Sequence, residues 1–127
     1  MPLLEDVAEY LEDATIGTVG TDIFINQMPD GVDNCISLHA TRGKPPEIVW
    51  DAEFPGLFIR VRNTDPAASN AKANDVMMAL HKLTNVTMEI TPYYFITADG
   101  SPEGLGMDDK KRYIYTVQFS VIKKREA

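Results

Sequence analysis

The chain has one cysteine, Cys35, among 127 residues. A lone cysteine makes no internal disulfide, and no zinc site without other strong ligands. Histidine is almost as scarce. His39 and His81 stand in separate segments, outside any metal-helix spacing such as H-E-x-x-H. Basic charge is short too: Lys plus Arg number 12 against 19 Asp plus Glu, a formal net charge of −7. Wrapping duplex DNA needs cations to neutralise phosphates, so this balance argues against it, although a local basic patch stays possible. Apolar runs are only a few residues long, far short of the roughly 18 that a membrane-spanning helix needs. The opening Met1-Pro2-Leu3-Leu4-Glu5-Asp6 lacks the basic start and apolar stretch of a secretory signal. The expectation is a protein made and kept, or assembled, in a reducing interior. On that reading the Asn85-Val86-Thr87 sequon is a chance match.

What remains is the composition of an ordinary globular domain, 44% hydrophobic and 24% charged. A chain shorter than about 150 residues reads as one domain, here 1–127, and it can bury a core without staples. Leu4, Val7, Ala8 and Leu11 fall at i, i+3, i+4 and i+7, which predicts a helix over 2–13 with Glu5, Asp6, Glu9 and Glu12 on its other faces. Asp65-Pro66 reads as a cap followed by a first-turn proline, opening a second helix over 66–82. Its apolar stripe is Ala73, Val76, Met77, Leu80 and Leu83.

Alternation of apolar and polar residues marks the strands. Ile23-Phe24-Ile25 is a short one. Ile36 and Leu38 alternate with Cys35, Ser37 and His39. Leu57, Ile59 and Val61 alternate with Phe58, Arg60 and Arg62. Val86, Met88 and Ile90 lead through a Thr91-Pro92 turn into a return strand over 93–98. The run from Tyr113 to Val121 is the longest strand, and a charged tail follows from Lys123. The glycines and prolines of 41–55, a stretch that holds Trp50, predict mostly loop. The segment 99–111 reads as a long polar loop. Its only large apolar residues, Leu105 and Met107, bury too little to order it, so it is expected to be mobile and to fix itself against a neighbour.

The order is α-β-β-β-α-β-β-β. Mostly short connections favour antiparallel pairing, and two amphipathic helices need one apolar surface. The fold expected is α+β, a mostly antiparallel sheet with two amphipathic helices packed on one face. Its core should contain Leu4, Val7, Leu11, Ile36, Leu38, Leu57, Ile59, Val61, Val76, Met77, Leu80, Tyr115, Val117 and Phe119.

A search for catalytic constellations returns little. Cys35 and His39 share a strand face but stand about 13 Å apart at about 3.3 Å per residue. Asp30-Gly31-Val32-Asp33-Asn34 has its glycine misplaced for a calcium loop and lacks the closing glutamate. Gly104-Leu105-Gly106 is followed by no helix to receive a pyrophosphate. No catalytic, cofactor-binding or metal-binding residue is assigned. Arg60 and Arg62, with Arg42 and Lys44, form a candidate basic patch. With Phe58 on the same alternate face, the two strand arginines suggest a contact face. A small ligand-binding or hydrolytic domain using Tyr93, Tyr94, Tyr113 and Tyr115 is the enzymatic alternative.

Taken in order, several stretches resemble one family. They are Met28 to Pro46, with Asp33-Asn34-Cys35-Ile36 and Thr41-Arg42-Gly43-Lys44-Pro45-Pro46; Ile59 to Asp65 and the Ala-rich helix to His81-Lys82-Leu83-Thr84-Asn85; Tyr93-Tyr94, Pro102, Leu105-Gly106 and Arg112 to Val121. The chain is similar to the minor capsid and tail terminator proteins of phages with long non-contractile tails, over nearly its whole length. The resemblance implies a structural virion protein of the tail or neck, assembled in the host cytoplasm, with no catalysis and no cofactor. It further implies a homohexameric ring that caps the tail tube, stops its polymerisation and meets a connector or stopper protein, while genomic DNA passes through without specific binding. No membrane partner is implied. Another neck, connector or head-completion protein on the same scaffold is the near alternative. The expected interface residues are Phe58, Arg60, Arg62, Leu105 and Met107.

Overall fold

In the computed structural model the described residues are 2–44, 52–88 and 91–124; the side chains of Arg42 and Lys44, and all of Trp50, lie outside them. The first helix, α1 (Pro2–Asp13), buries Leu3, Leu4, Val7, Ala8 and Leu11, as its periodicity predicts. Asp6 departs from the pattern. It is buried rather than solvated, because the Tyr93 hydroxyl donates to its carboxylate at 2.8 Å. The second helix, α2 (Pro66–Leu80), opens as expected: Asp65 is extended, its side chain accepts the Ala67 N–H, and Pro66 follows. The helix stops two residues short of the predicted end, since His81 is extended and Lys82 takes a positive φ of 63°.

Seven strands form one sheet: β1 (Ile23–Ile25), β2 (Cys35–Lys44), β3 (Ala52–Asn63), β4 (Leu83–Met88), β5 (Thr91–Ala98), β6 (Glu103–Met107) and β7 (Tyr113–Lys124). Their order is β1-β2-β3-β7-β5-β4, with β6 also on β7. All pairs are antiparallel except β1–β2, which is parallel. The architecture is thus α+β, in the order α-β-β-β-α-β-β-β-β. Antiparallel register places Ile36, Val61 and Tyr115 in one row and Leu38, Ile59 and Val117 in the next. These rows face the helices in one contiguous core with Val76, Leu80 and Phe119. Met77 and Tyr115 are partly buried against that core, and the other twelve residues expected there are buried within it. Ser69 joins α2 to the sheet, its hydroxyl 3.2 Å from the Val61 carbonyl oxygen and 3.0 Å from that of Tyr113. Because α1 touches β1 and β2 at one edge and β4 at the other, the sheet must curl around it.

Further sequence expectations need correction. The stretch 41–55 is largely strand where it is described: Thr41–Lys44 completes β2 and 52–55 opens β3. The glycine signal there marks a bulge, since Gly43 has φ +69° and a Cβ on it would overlap the Phe54 carbonyl oxygen. Thr91-Pro92 is no turn but the start of β5, paired with Met88 and Thr87. The 99–111 segment contains β6, held by backbone pairing to β7 rather than by buried side chains. Finally, Lys123 does not begin an exposed tail. It lies inside β7, one residue before its end, fully buried, with its ammonium 2.8 Å from Glu53 Oε1 on the neighbouring strand.

Candidate assembly surface

The sheet face away from the helices carries the alternate residues. Cys35–Arg62–Ile114, Ser37–Arg60–Thr116 and His39–Phe58–Gln118 form three cross-strand rows. Within the last row the His39 and Phe58 rings stack, centroids 4.7 Å apart and 11° from parallel. The Arg60 guanidinium lies 5.3 Å from the centre of the same Phe58 ring, within cation–π range. Burial, then the nearby Arg60 charge, hold the His39 pKa below its ordinary value, so the stacked ring is neutral near pH 7. His39, Phe58 and exposed Arg60 therefore form a preformed aromatic–cationic platform.

Arg62 was expected on that exposed face, and it is buried instead, at 5% exposure. The reason is the parallel β1–β2 pair. A parallel connection must travel back along the strand, and residues 26–34 do so across the Arg62 end of this face. The Arg62 guanidinium donates to the carbonyl oxygens of Pro29 and Val32 on that segment. Cys35 lies beneath it, and burial raises the thiol pKa above its ordinary value.

A second cation fastens the same segment. Arg112, 2% exposed, reaches Asp30 Oδ1 and Asp108 Oδ2 at 2.8 Å and Asp33 Oδ1 at 3.3 Å, and donates to the Asp30 carbonyl. Lys110 adds a 2.6 Å bridge to Asp30. The lysine and arginine hydrogen bonds hold the Asp30 pKa below its ordinary 3.8, and hydrogen bonds from the Arg112 backbone and side chain do the same for Asp108. The knot ties the 26–34 segment to the β6–β7 turn. Sequence reading did not find it, because partners 79 and 82 positions apart leave no local spacing. Its only trace was the unexplained run of acids around Gly31.

Beyond the knot, β6 and its turn into β7 form an edge arm of the sheet in which every β6 residue is exposed; Leu105 is 47% and Met107 56% exposed. The outer edge of β5 is covered by β4, whereas β6 is paired through β7 alone. Expected interface residues thus fall into two groups: Phe58 and Arg60 on the sheet face, and Leu105 and Met107 on the β6–β7 arm.

Both histidines have structural partners. His81 Nδ1 accepts the Ala98 N–H at 3.0 Å, and His39 Nε2 is 2.9 Å from the Ser37 hydroxyl. Tyr93 and Tyr115 are eight residues apart along the β7 register, about 26 Å at 3.3 Å per residue, so the tyrosines do not share one pocket. Among the described residues no group of three or more His, Cys, Asp or Glu could hold a metal. None of the helices among them is long and apolar enough to cross a membrane.

A two-layer α+β fold with a part-exposed sheet face, a stacked aromatic–cationic platform and an exposed apolar edge strand has the surfaces of an assembly protein. Residues 10–125 match the family described as bacteriophage tail terminator protein, and the chain belongs to that family. It is a structural component of a virion tail, not an enzyme. A chain in the solved virion of a native gene transfer agent particle has the same fold, with TM-score 0.68 at 14% identity over 96% of this chain and 94% of that one. No curated protein matches the sequence.

Proposed function

We propose that the chain is one domain that forms a ring, a hexamer, at the head-proximal end of the tail tube. There it stops tube growth and offers its other side to a connector or stopper protein, and the genome passes through its lumen. Membership of the tail terminator family over residues 10–125 carries this reading. The surface chemistry agrees with it. A net charge of −7 suits a lumen that must not grip phosphates; Leu105 and Met107 are exposed and apolar, and exposed Arg60 adjoins part-exposed Phe58. In this reading Phe58 and Arg60 meet a neighbouring subunit, while Leu105 and Met107 on the arm reach a subunit or the tube. Arg62 supports the contact face from below.

Mass measurement in solution tests the ring. A species near 85 kDa, six copies of 14.1 kDa, is expected on concentration or in the presence of tube ends. A strictly monomeric protein that never joins a particle would remove the reading.

The arm gives a prediction of its own. Replacing Leu105 and Met107 together with Thr keeps the strand preference and removes the apolar surface. Because both are exposed, monomer stability should stay within about 0.5 kcal/mol of the original. Assembly into tails should fall at least about tenfold, read by particle yield in complementation. Normal yield would place the arm outside every interface.

A further inference from the structure

The chain has five phenylalanines, and only Phe119 is in the core shared with the helices. The other four, Phe24, Phe54, Phe58 and Phe95, stand in the outward alternation of β1, β3 and β5. Phe24 pairs Ser37, Phe58 pairs His39 and Gln118, and Phe95 pairs Ile122. All four are part-exposed. A sheet face rich in aromatics needs a second layer; among the described residues the helices pack on the other face, and on this one the 26–34 segment covers the Arg62 end. The outer side of α2 is equally unusual. Ala67, Ala71, Asp75 and Met78 recur at helical spacing and are all exposed, Met78 at 71%. Asp75 is the sole charge among them.

Resting on the ring reading, we propose that the outer face of α2 in one subunit packs on the aromatic sheet face of the next, completing an α/β/α layering between copies. Three observations select a second copy as the occupant. The two surfaces are different patches on different layers of the molecule, as a heterologous, head-to-tail interface that closes a ring needs. Their shapes match: small Ala67 and Ala71 let the helix approach the sheet, and the flexible Met78 thioether suits contact with aromatic rings. Their charges match as well, since exposed Arg60 lies beside Phe58 on the sheet face and Asp75 is the lone charge on the helix face. A planar guanidinium is well suited to pairing with a carboxylate at such an interface.

The test is a charge exchange combined with crosslinking, on the full chain. Arg60→Asp and Asp75→Arg should each raise the concentration for half-assembly at least about tenfold, and the double variant should recover most of that loss. Met78→Lys should weaken assembly as strongly. Each site is exposed, so unchanged thermal midpoints by circular dichroism separate assembly from folding. Mixing Met78→Cys subunits with Gln118→Cys subunits should yield a mixed disulfide dimer under mild oxidation. Rings that form normally with Met78→Lys, or a double variant no better than its parents, overturn the interface and leave the ring reading standing. Crosslinking of Gln118→Cys subunits only to each other would mean sheet-to-sheet packing and overturns it too. A wild-type chain that never oligomerises, alone or in particles, overturns the ring reading and the interface together.

Discussion

Phe119→Ala is expected to lower folding stability by about 3–5 kcal/mol, the range for truncating a fully buried aromatic side chain. Phe119 is 1% exposed and is the one phenylalanine on the helix side of the sheet. It pairs with Leu57 on β3 and Ala98 on β5, so it sits where three strands meet. Truncation there leaves a void that close-packed neighbours on several strands cannot all relax to fill. A domain of this size is only marginally stable, so the variant should be largely unfolded at physiological temperature or lose a large part of its denaturation midpoint. Equilibrium denaturation in urea, with the slope unchanged, measures it. An unchanged midpoint would put Phe119 on the wrong face of β7.

Arg112→Met should produce the second largest loss, smaller than that at Phe119. The guanidinium is nearly inaccessible and satisfies Asp108, Asp30, Asp33 and the Asp30 carbonyl together. Asp30 and Asp33 are themselves well exposed and can turn to water once the cation is gone, which limits the cost. The consequence is as much conformational as energetic, because the 26–34 segment then keeps only Arg62 of the two arginine clamps on its carbonyls. The acid dependence carries the signature. Asp30 and Asp108 have folded pKa values below their ordinary 3.8, so the unfolded chain binds more protons between the two values. Their contribution is complete above about pH 4 and is lost as pH falls through the folded pKa values. The original protein should lose stability on acidification below pH 4, and Arg112→Met should lose less over the same interval. Equal slopes would show that the knot contributes nothing through its charges.

Elements with a burial rhythm were legible from the sequence, because the rhythm is itself the cause of the element. Leu57, Ile59 and Val61 alternate since one side of β3 faces helices and the other does not. Capping by Asp65-Pro66 was legible for the same reason: the chemistry that starts α2 lies within three residues. What escaped was set by distant partners. Strand β6 has the composition of a loop and pairs through its backbone, which side-chain patterns do not record. Gly43 reads as a loop signal, but its positive φ serves a bulge inside paired strands. Lys123 and Arg62 read as exposed cations. Glu53 and the 26–34 carbonyls make their burial tolerable. The candidate site followed the same division. Phe58 and Arg60 could be placed on one face by period-two counting, whereas the Arg112 knot and the exposed side of α2 needed the tertiary fold.

Electron microscopy of particles made without this chain tests the central claim most directly. A tail terminator that caps the tube leaves, when removed, tubes that grow beyond their normal length and do not join heads. Supplying the chain in trans should restore uniform tails and joined particles. Tails of normal, uniform length attached to heads in its absence would contradict the account.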